Sequence, residues 1–210
     1  MGRGVPARGL MPTLHPRSPG VAWVALAVVL AAGALLAPLL VGPQAIDWQP
    51  ARWLAEPWRW WTAAFVHLSP LHLWGNLAAT ALIAAFGVSG EMPPRATVAW
   101  FAAWPLTHLG LLSMPELRHY GGLSGLLHAG VAVAAVQLAA TRTGLHRWIG
   151  VATLVAVAAK VLSETPWRAA VQVSPQWDIP VAPIAHLTGA VAGLLCGLAA
   201  VALGARSRRA

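Results

Sequence analysis

The sequence predicts an all-α membrane protein, folded as a bundle of six transmembrane helices with its N- and C-termini in the cytoplasm. Of its 210 residues, 58% are hydrophobic and only 10% are charged. So few charges cannot cover the surface of a soluble domain of this size. Several apolar runs reach the length of about 18 residues that is typical of membrane-spanning helices. The arginines lie between these runs and at both ends of the chain.

The apolar runs predict six spans, at residues 21–41, 70–88, 96–113, 123–140, 148–164 and 181–203. The first run follows three arginines, as in a signal peptide, but it is too long for a typical signal core. We therefore assign residues 1–20 to a cytoplasmic tail, 21–203 to one six-helix membrane domain and 204–210 to a basic C-terminal tail.

The positions of the arginines predict the orientation, because cytoplasmic loops are enriched in Lys and Arg. With the N-terminus inside, nine arginines lie on the inner side: Arg3, Arg8, Arg17, Arg95, Arg142, Arg147, Arg206, Arg208 and Arg209. The outer side has four: Arg52, Arg59, Arg118 and Arg168. Both termini are therefore expected in the cytoplasm, and the pattern is typical of a multi-pass protein of a bacterial inner membrane.

The first outer connection, residues 42–69, is unusually long and rich in tryptophan. Its tryptophans are Trp48, Trp53, Trp58, Trp60 and Trp61. Tryptophan concentrates at membrane interfaces, where its ring is half solvated. We expect this connection to anchor the protein in the outer leaflet.

Several functions are excluded by what the sequence contains. The net charge of +8 comes without a basic face, so nucleic acid is not an expected partner. The single cysteine, Cys196, permits neither an intramolecular disulfide nor a zinc-binding cysteine pair. A His-Glu-x-x-His zinc motif is missing, and both aspartates lie in predicted loops. We therefore predict no metal site, and we expect the lipid bilayer as the surroundings.

Polar residues recur at the start of the second, fourth and sixth spans. Burying a polar group in the hydrocarbon of a membrane costs free energy, so such residues indicate a functional or structural role. Ser69 is a suitable N-cap for the second span, with His72 and Asn76 on one helix face. Ser124 begins the fourth span and His186 the sixth. Because these three spans run in the same direction, the four polar residues His72, Asn76, Ser124 and His186 should lie at one depth and form one site.

These residue types predict acyl transfer. Serine needs a base to take its proton, and His186 can be that base for Ser124. Free N–H groups at the start of a helix can bind a developing oxyanion, and the side chains of His72 and Asn76 could add donors. The sequence puts no carboxylate beside these clusters, so a Ser-His dyad is predicted and a triad is not.

Each signal also has a structural interpretation. Gly122 and Gly125 around Ser124 are also typical of close helix packing, as are Gly189 and Gly193 in the sixth span. His128 is either a group that supports the catalytic residues or a core histidine with satisfied hydrogen bonds, and we favour the second. His67 and His108 are interpreted as structural. Lys160 and Glu164 form an i,i+4 pair that neutralises itself near the membrane edge.

The polar motifs resemble those of the rhomboid family of intramembrane serine proteases. The stretch from Arg59 to His67, followed by His72 and Asn76, resembles the rhomboid second-helix motif. Gly122-Leu-Ser124-Gly125 matches the family's Gly-x-Ser-Gly box. His186-Leu-Thr-Gly189-Ala-Val-Ala-Gly193 matches its last catalytic helix.

The resemblance implies Ser124 as nucleophile, His186 as general base, and an oxyanion hole of His72, Asn76 and the Ser124 backbone. It implies a rhomboid-like six-helix bundle that needs no metal or organic cofactor and cuts transmembrane protein substrates. The run from Tyr120 to His128 and the Lys160/Glu164 pair resemble the rhombosortase branch more narrowly. That branch is thought to process exported bacterial proteins that carry a C-terminal Gly-Gly sorting tail.

Two other functions compete with a protease. An inactive rhomboid-like protein that binds transmembrane clients would not need both Ser124 and His186. A small transporter with a histidine relay is disfavoured because the predicted spans contain few carboxylates.

Overall fold

The protein is described by a computed structural model that covers residues 20–207. The predicted N-terminal tail up to residue 19 and residues 208–210, with five of the arginines that predict the orientation, lie outside this range. The described residues form eight α-helices: α1 (Val21–Leu40), α2 (Pro43–Ile46), α3 (Arg59–Thr62), α4 (Pro70–Ser89), α5 (Pro94–Leu109), α6 (Ser124–Thr141), α7 (Gly144–Ser163) and α8 (Pro183–Arg206). Short 3₁₀ turns follow α3 and α5 and interrupt the α2–α3 connection.

Five of the described helices, α1, α4, α6, α7 and α8, are long and apolar enough to cross a membrane. The prediction of an all-helical membrane protein is confirmed, whereas the count of six spans stays a prediction. Helix α5 has 16 residues, or about 24 Å at the usual rise. The 3₁₀ turn Gly110–Ser113 then continues it. Together they match the third predicted run.

The observed ends differ from the predicted ends mainly in α7, which begins at residue 144 and not at residue 148. Gly144, the first residue of α7, has a φ of 56°, a conformation that is readily accessible to glycine. His146 and Arg147 are exposed on the first helical turn. Because these residues are polar, the hydropathy pattern did not include this turn in the predicted span.

Helix α6 forms the centre of the bundle, with 12 of its 18 residues buried. Its closest partner is α8, against which it packs through small residues. A Cβ added to Gly189 would lie 1.9 Å from the carbonyl oxygen of Gly125, and one added to Gly193 would lie 2.3 Å from that of Ala129. Only glycine allows the two backbones to approach this closely.

The connection between α1 and α4 is folded onto the bundle around a buried ion-pair cluster. The guanidinium of Arg59 bonds the carboxylate of Asp47 at 3.0 Å and also pairs with Glu56. Trp48 is fully buried, and its backbone pairs in both directions with that of Tyr120. The expectation that Trp48 anchors the protein at the membrane interface is therefore wrong, because this pairing draws its ring inside; Trp58 is exposed.

Helices α4, α6 and α8 begin at one end of the bundle, which we call the site end. Helix α7 runs antiparallel to α6 and therefore finishes there. The N-cap predicted at Ser69 is confirmed, since its hydroxyl accepts a hydrogen bond from the N–H of His72 at 3.1 Å. This cap fixes the first turn of α4 at the site end.

Candidate active site

Ser124 is the first residue of α6, so its neighbourhood contains the unpaired N–H groups of a helix start. The preceding loop is held by a hydrogen bond of 3.0 Å from the N–H of Gly122 to the carbonyl of Ala63. Gly122 has a φ of 131°, and a Cβ there would lie 2.7 Å from the His72 ring. Both observations require glycine at position 122, two residues before Ser124.

The structure brings Ser124 and His186 together from two helices. The Oγ of Ser124 lies 3.0 Å from the Nε2 of His186, a distance suited to transfer of the hydroxyl proton. The close α6–α8 contact at Gly189, three residues beyond His186, sets this separation.

His72 and Asn76 lie beside the Ser124 loop, on the buried face of α4. The Nδ1 of His72 accepts a long hydrogen bond of 3.4 Å from the N–H of Leu68. In that tautomer the Nε2 carries a proton, and it is this edge of the ring that faces Gly122. The amide nitrogen of Asn76 lies on the same side, 3.7 Å from where a Gly122 Cβ would be.

His67, which we interpreted as structural, contacts this group directly. Its Nδ1 lies 3.2 Å from the carbonyl of Phe65, which can only accept. Its Nε2 is therefore an acceptor for the amide of Asn76, at 3.1 Å. Burial lowers the pKa of His67, with partial compensation by the Phe65 carbonyl. His67 thus orients the Asn76 amide as a neutral ring.

Sequence reasoning missed a carboxylate beside His186. The Oε2 of Glu164 lies 2.7 Å from the Nδ1 of His186, so the expectation that no acid adjoins the base is wrong. Glu164 follows the last residue of α7, the helix that finishes at the site end. The sequence contained a signal for this position, because in an antiparallel order of spans the fifth span ends on the side where the sixth begins. This signal was overlooked because Lys160, four residues earlier in the sequence, already provides Glu164 with a partner of opposite charge.

Glu164 is ionised at neutral pH. Burial alone would raise its pKa, but hydrogen bonds from His186 and Lys160, with their positive charges, lower the pKa from 4.5 to about 2. The Nζ of Lys160 lies 3.0 Å from the Oε1 of Glu164. The two carboxylate oxygens therefore have different partners, one cationic and one aromatic.

His128 completes the cluster, stacked on His186 with ring centroids 4.4 Å apart. Its Nδ1 lies 2.7 Å from the carbonyl of Ser124, which fixes the proton on Nδ1. Its Nε2 then accepts from Lys160 at 2.9 Å. The predicted core histidine is thus packed against the predicted base.

These side chains open into one cavity of about 640 Å³ at the site end. Ser124, His186, His72 and Asn76 line it together with residues of the α7–α8 connection. That connection is tied to the start of α4, because Ser69 donates a 2.6 Å hydrogen bond to Asp178 and the ring of Trp177 meets the edge of His72. A polar cavity between helices is where irregular backbone and water are tolerated in a membrane protein.

Fold and site together describe a multi-pass helical membrane protein with a serine–histidine contact inside the bundle. A model of the rhomboid domain matches residues 54–203, more than two thirds of the chain. The chain therefore belongs to the rhomboid family, whose members are generally intramembrane serine proteases. No curated protein matches it.

Proposed function

We propose that the protein is an intramembrane serine endopeptidase that uses Ser124 as nucleophile and His186 as general base. The observation that supports this most strongly is the 3.0 Å separation between the Ser124 Oγ and the His186 Nε2. The alternative, an inactive rhomboid-like protein that binds transmembrane clients, gives no reason for this contact.

In the proposed reaction the Ser124 Oγ attacks the scissile carbonyl while its proton passes to the Nε2 of His186. The resulting oxyanion is bound by N–H groups at the start of α6, by the Nε2–H of His72 and by the amide of Asn76. His186 then protonates the leaving amine as the C–N bond breaks. Water hydrolyses the acyl-enzyme by the same base, returning the proton to Ser124.

The proposed substrates are transmembrane segments of membrane-anchored proteins, and within them the C-terminal Gly-Gly sorting tails of exported bacterial proteins. The support for this narrower choice is the resemblance of residues 120–128 and of the Lys160/Glu164 pair to the rhombosortase branch. Both elements lie at the candidate site, because Lys160 and Glu164 contact His186. A bacterial inner membrane, with both termini in the cytoplasm, belongs to the same proposal.

The test is cleavage of a co-expressed reporter that carries a Gly-Gly tail, one span and a basic end. Wild type should release the reporter, whereas Ser124→Ala and His186→Ala should accumulate in the membrane without cutting it. If wild type cuts a general rhomboid substrate and leaves the Gly-Gly reporter intact, the choice of branch is wrong. If wild type cuts neither but retains the reporter in a stable complex, the client-binding alternative is correct.

A further inference from the structure

The base, His186, has two possible hydrogen-bond partners at the same ring nitrogen. Its Nδ1 lies 2.7 Å from the Oε2 of Glu164 and 3.1 Å from the Nζ of Lys160. A carboxylate can only accept and an ammonium can only donate. The two contacts therefore require opposite tautomers of the imidazole and cannot both be hydrogen bonds at once.

The choice between them decides whether His186 can act on Ser124. When the Nδ1 carries the proton and donates to Glu164, the Nε2 has a free lone pair facing the Ser124 Oγ. When the Nδ1 accepts from Lys160, the Nε2 carries the proton and can take none from the hydroxyl. Only the contact with Glu164 yields a competent base.

The shorter distance favours Glu164, and the other contacts of Lys160 explain why. Its ammonium has two further partners, the Oε1 of Glu164 at 3.0 Å and the Nε2 of His128 at 2.9 Å. Both draw the ammonium away from the base. The side chain of Glu164 is 26% exposed and that of His186 only 10%, so water competes weakly for this pair.

A negative charge at this position also favours the reaction electrostatically. When His186 takes the serine proton it becomes an imidazolium in a buried site. Three other groups surround it: Lys160 from α7, His128 stacked from α6, and His72 from α4. Lys160 opposes the new positive charge, and neither histidine offsets it. Glu164 is the group that compensates.

We propose that Glu164 is a positioning residue that selects the catalytic tautomer of His186. In the same proposal, Glu164 and His128 bind the ammonium of Lys160 and prevent it from donating to the Nδ1 of His186. This inference rests on the proposed function, since it requires Ser124 and His186 to be the reacting pair. It extends the predicted dyad to an arrangement with a third, acidic member that comes from α7.

The test compares Glu164→Gln and Glu164→Asp with a matched loss of charge at Glu91→Gln. Glu91 lies at the opposite end of α4, is 61% exposed on its side chain and pairs with Arg142. We expect Glu164→Gln to lower kcat by about 100-fold or more with little change in KM, because its amide can donate to the Nδ1 and favour the wrong tautomer. Glu164→Asp should recover part of this loss, and Glu91→Gln should remain within about twofold of wild type.

A second comparison distinguishes tautomer selection from a general structural role. In Glu164→Ala the ammonium of Lys160 is free to donate to the Nδ1, so cleavage should fall at least as far as in Glu164→Gln. Adding Lys160→Met removes the competing donor and should raise kcat by about tenfold over Glu164→Ala. A merely structural carboxylate predicts that the double variant is no better than the single one.

The outcomes separate this inference from the proposed function. If wild type cuts, Ser124→Ala does not, and the folded Glu164→Gln and Glu164→Ala variants cut within twofold of wild type, only the role of Glu164 is overturned. A double variant that is no more active than Glu164→Ala also overturns tautomer selection. If Ser124→Ala cuts like wild type, the proposed function fails first.

Discussion

Two histidine–carboxylate pairs lie at the site end of the bundle, and both have the same separation of 2.7 Å. One joins His186 to Glu164 and the other joins His119 to Asp47. The side chain of His186 is 10% exposed, whereas that of His119 is 63% exposed. The second ring nitrogen of His186 meets a serine hydroxyl. His119 also lines the cavity, and its ring is hydrogen-bonded to Asp47.

The contrast shows that a histidine–carboxylate contact does not by itself define a catalytic site. Asp47 is mainly a partner of Arg59, whose guanidinium also donates to the Asp47 backbone carbonyl at 2.7 Å. That cluster holds the α1–α4 connection in place, and His119 lies at its edge. Glu164 instead adjoins a ring that faces the proposed nucleophile, so the same contact there is expected to affect the reaction.

The largest expected effect is at the nucleophile. Ser124→Ala should reduce cleavage by at least about 10³-fold, because the proposed reaction forms its acyl-enzyme on the Ser124 hydroxyl. The measurement is the cleavage rate of the reporter per folded molecule in membranes. A variant that retains a tenth of the wild-type rate would show that the serine packs and does not react.

The second effect should be a loss of stability, with the cleavage rate almost unchanged. Arg59→Met leaves the carboxylate of Asp47, which is 9% exposed, without its main partner, at a cost of about 3 kcal/mol. Thermal unfolding in detergent should show the loss, while the rate per folded molecule stays near wild type. Glu164→Gln should show the reverse pattern, and equal effects of the two variants on both readouts would remove the distinction between the pairs.

A smaller effect should link packing to chemistry through the α6–α8 contact. Gly189→Ala introduces a Cβ 1.9 Å from a backbone oxygen, whereas at Gly197 the nearest atom would be 3.2 Å away, on the Val136 side chain. We expect Gly189→Ala to cost about 2 kcal/mol and to slow cleavage as well, because it separates Ser124 from His186. Gly197→Ala is the matched control and should change the rate little. Equal behaviour of the two would contradict this account of the contact.

The smallest effect is expected at the exposed histidine. His119→Ala removes a histidine–carboxylate contact in which one partner is mostly solvated, so stability should change by less than about 0.5 kcal/mol. Cleavage should stay within about twofold of wild type. A large loss of activity in this variant would mean that His119 contacts substrate. The distinction between the His186–Glu164 and His119–Asp47 pairs would then be wrong.

Much of this arrangement could be predicted from the sequence. The apolar runs located the long helices, because hydrophobic length is dictated by the bilayer. The polar residues at the starts of α4, α6 and α8 indicated one site, because helices that run in the same direction begin at the same depth. The cap at Ser69 followed from residue type alone.

Other features depended on tertiary packing and could not be predicted. The Lys160/Glu164 pair is satisfied within its own helix turn, so the sequence does not say which neighbour its carboxylate also faces. Tryptophan is typical of anchors at the membrane interface, but Trp48 is buried in the structure, where its backbone pairs with Tyr120. His67 orients Asn76 from a loop position that no periodicity describes.

The most direct test of the central claim is labelling of the membrane-embedded protein with a fluorophosphonate, which reacts preferentially with an activated serine. The modified residue would be mapped by mass spectrometry in wild type, Ser124→Ala and His186→Ala. The account predicts modification at Ser124 in wild type, none in Ser124→Ala and a much slower reaction in His186→Ala. Modification at another residue, or labelling that is unchanged in Ser124→Ala, would contradict it.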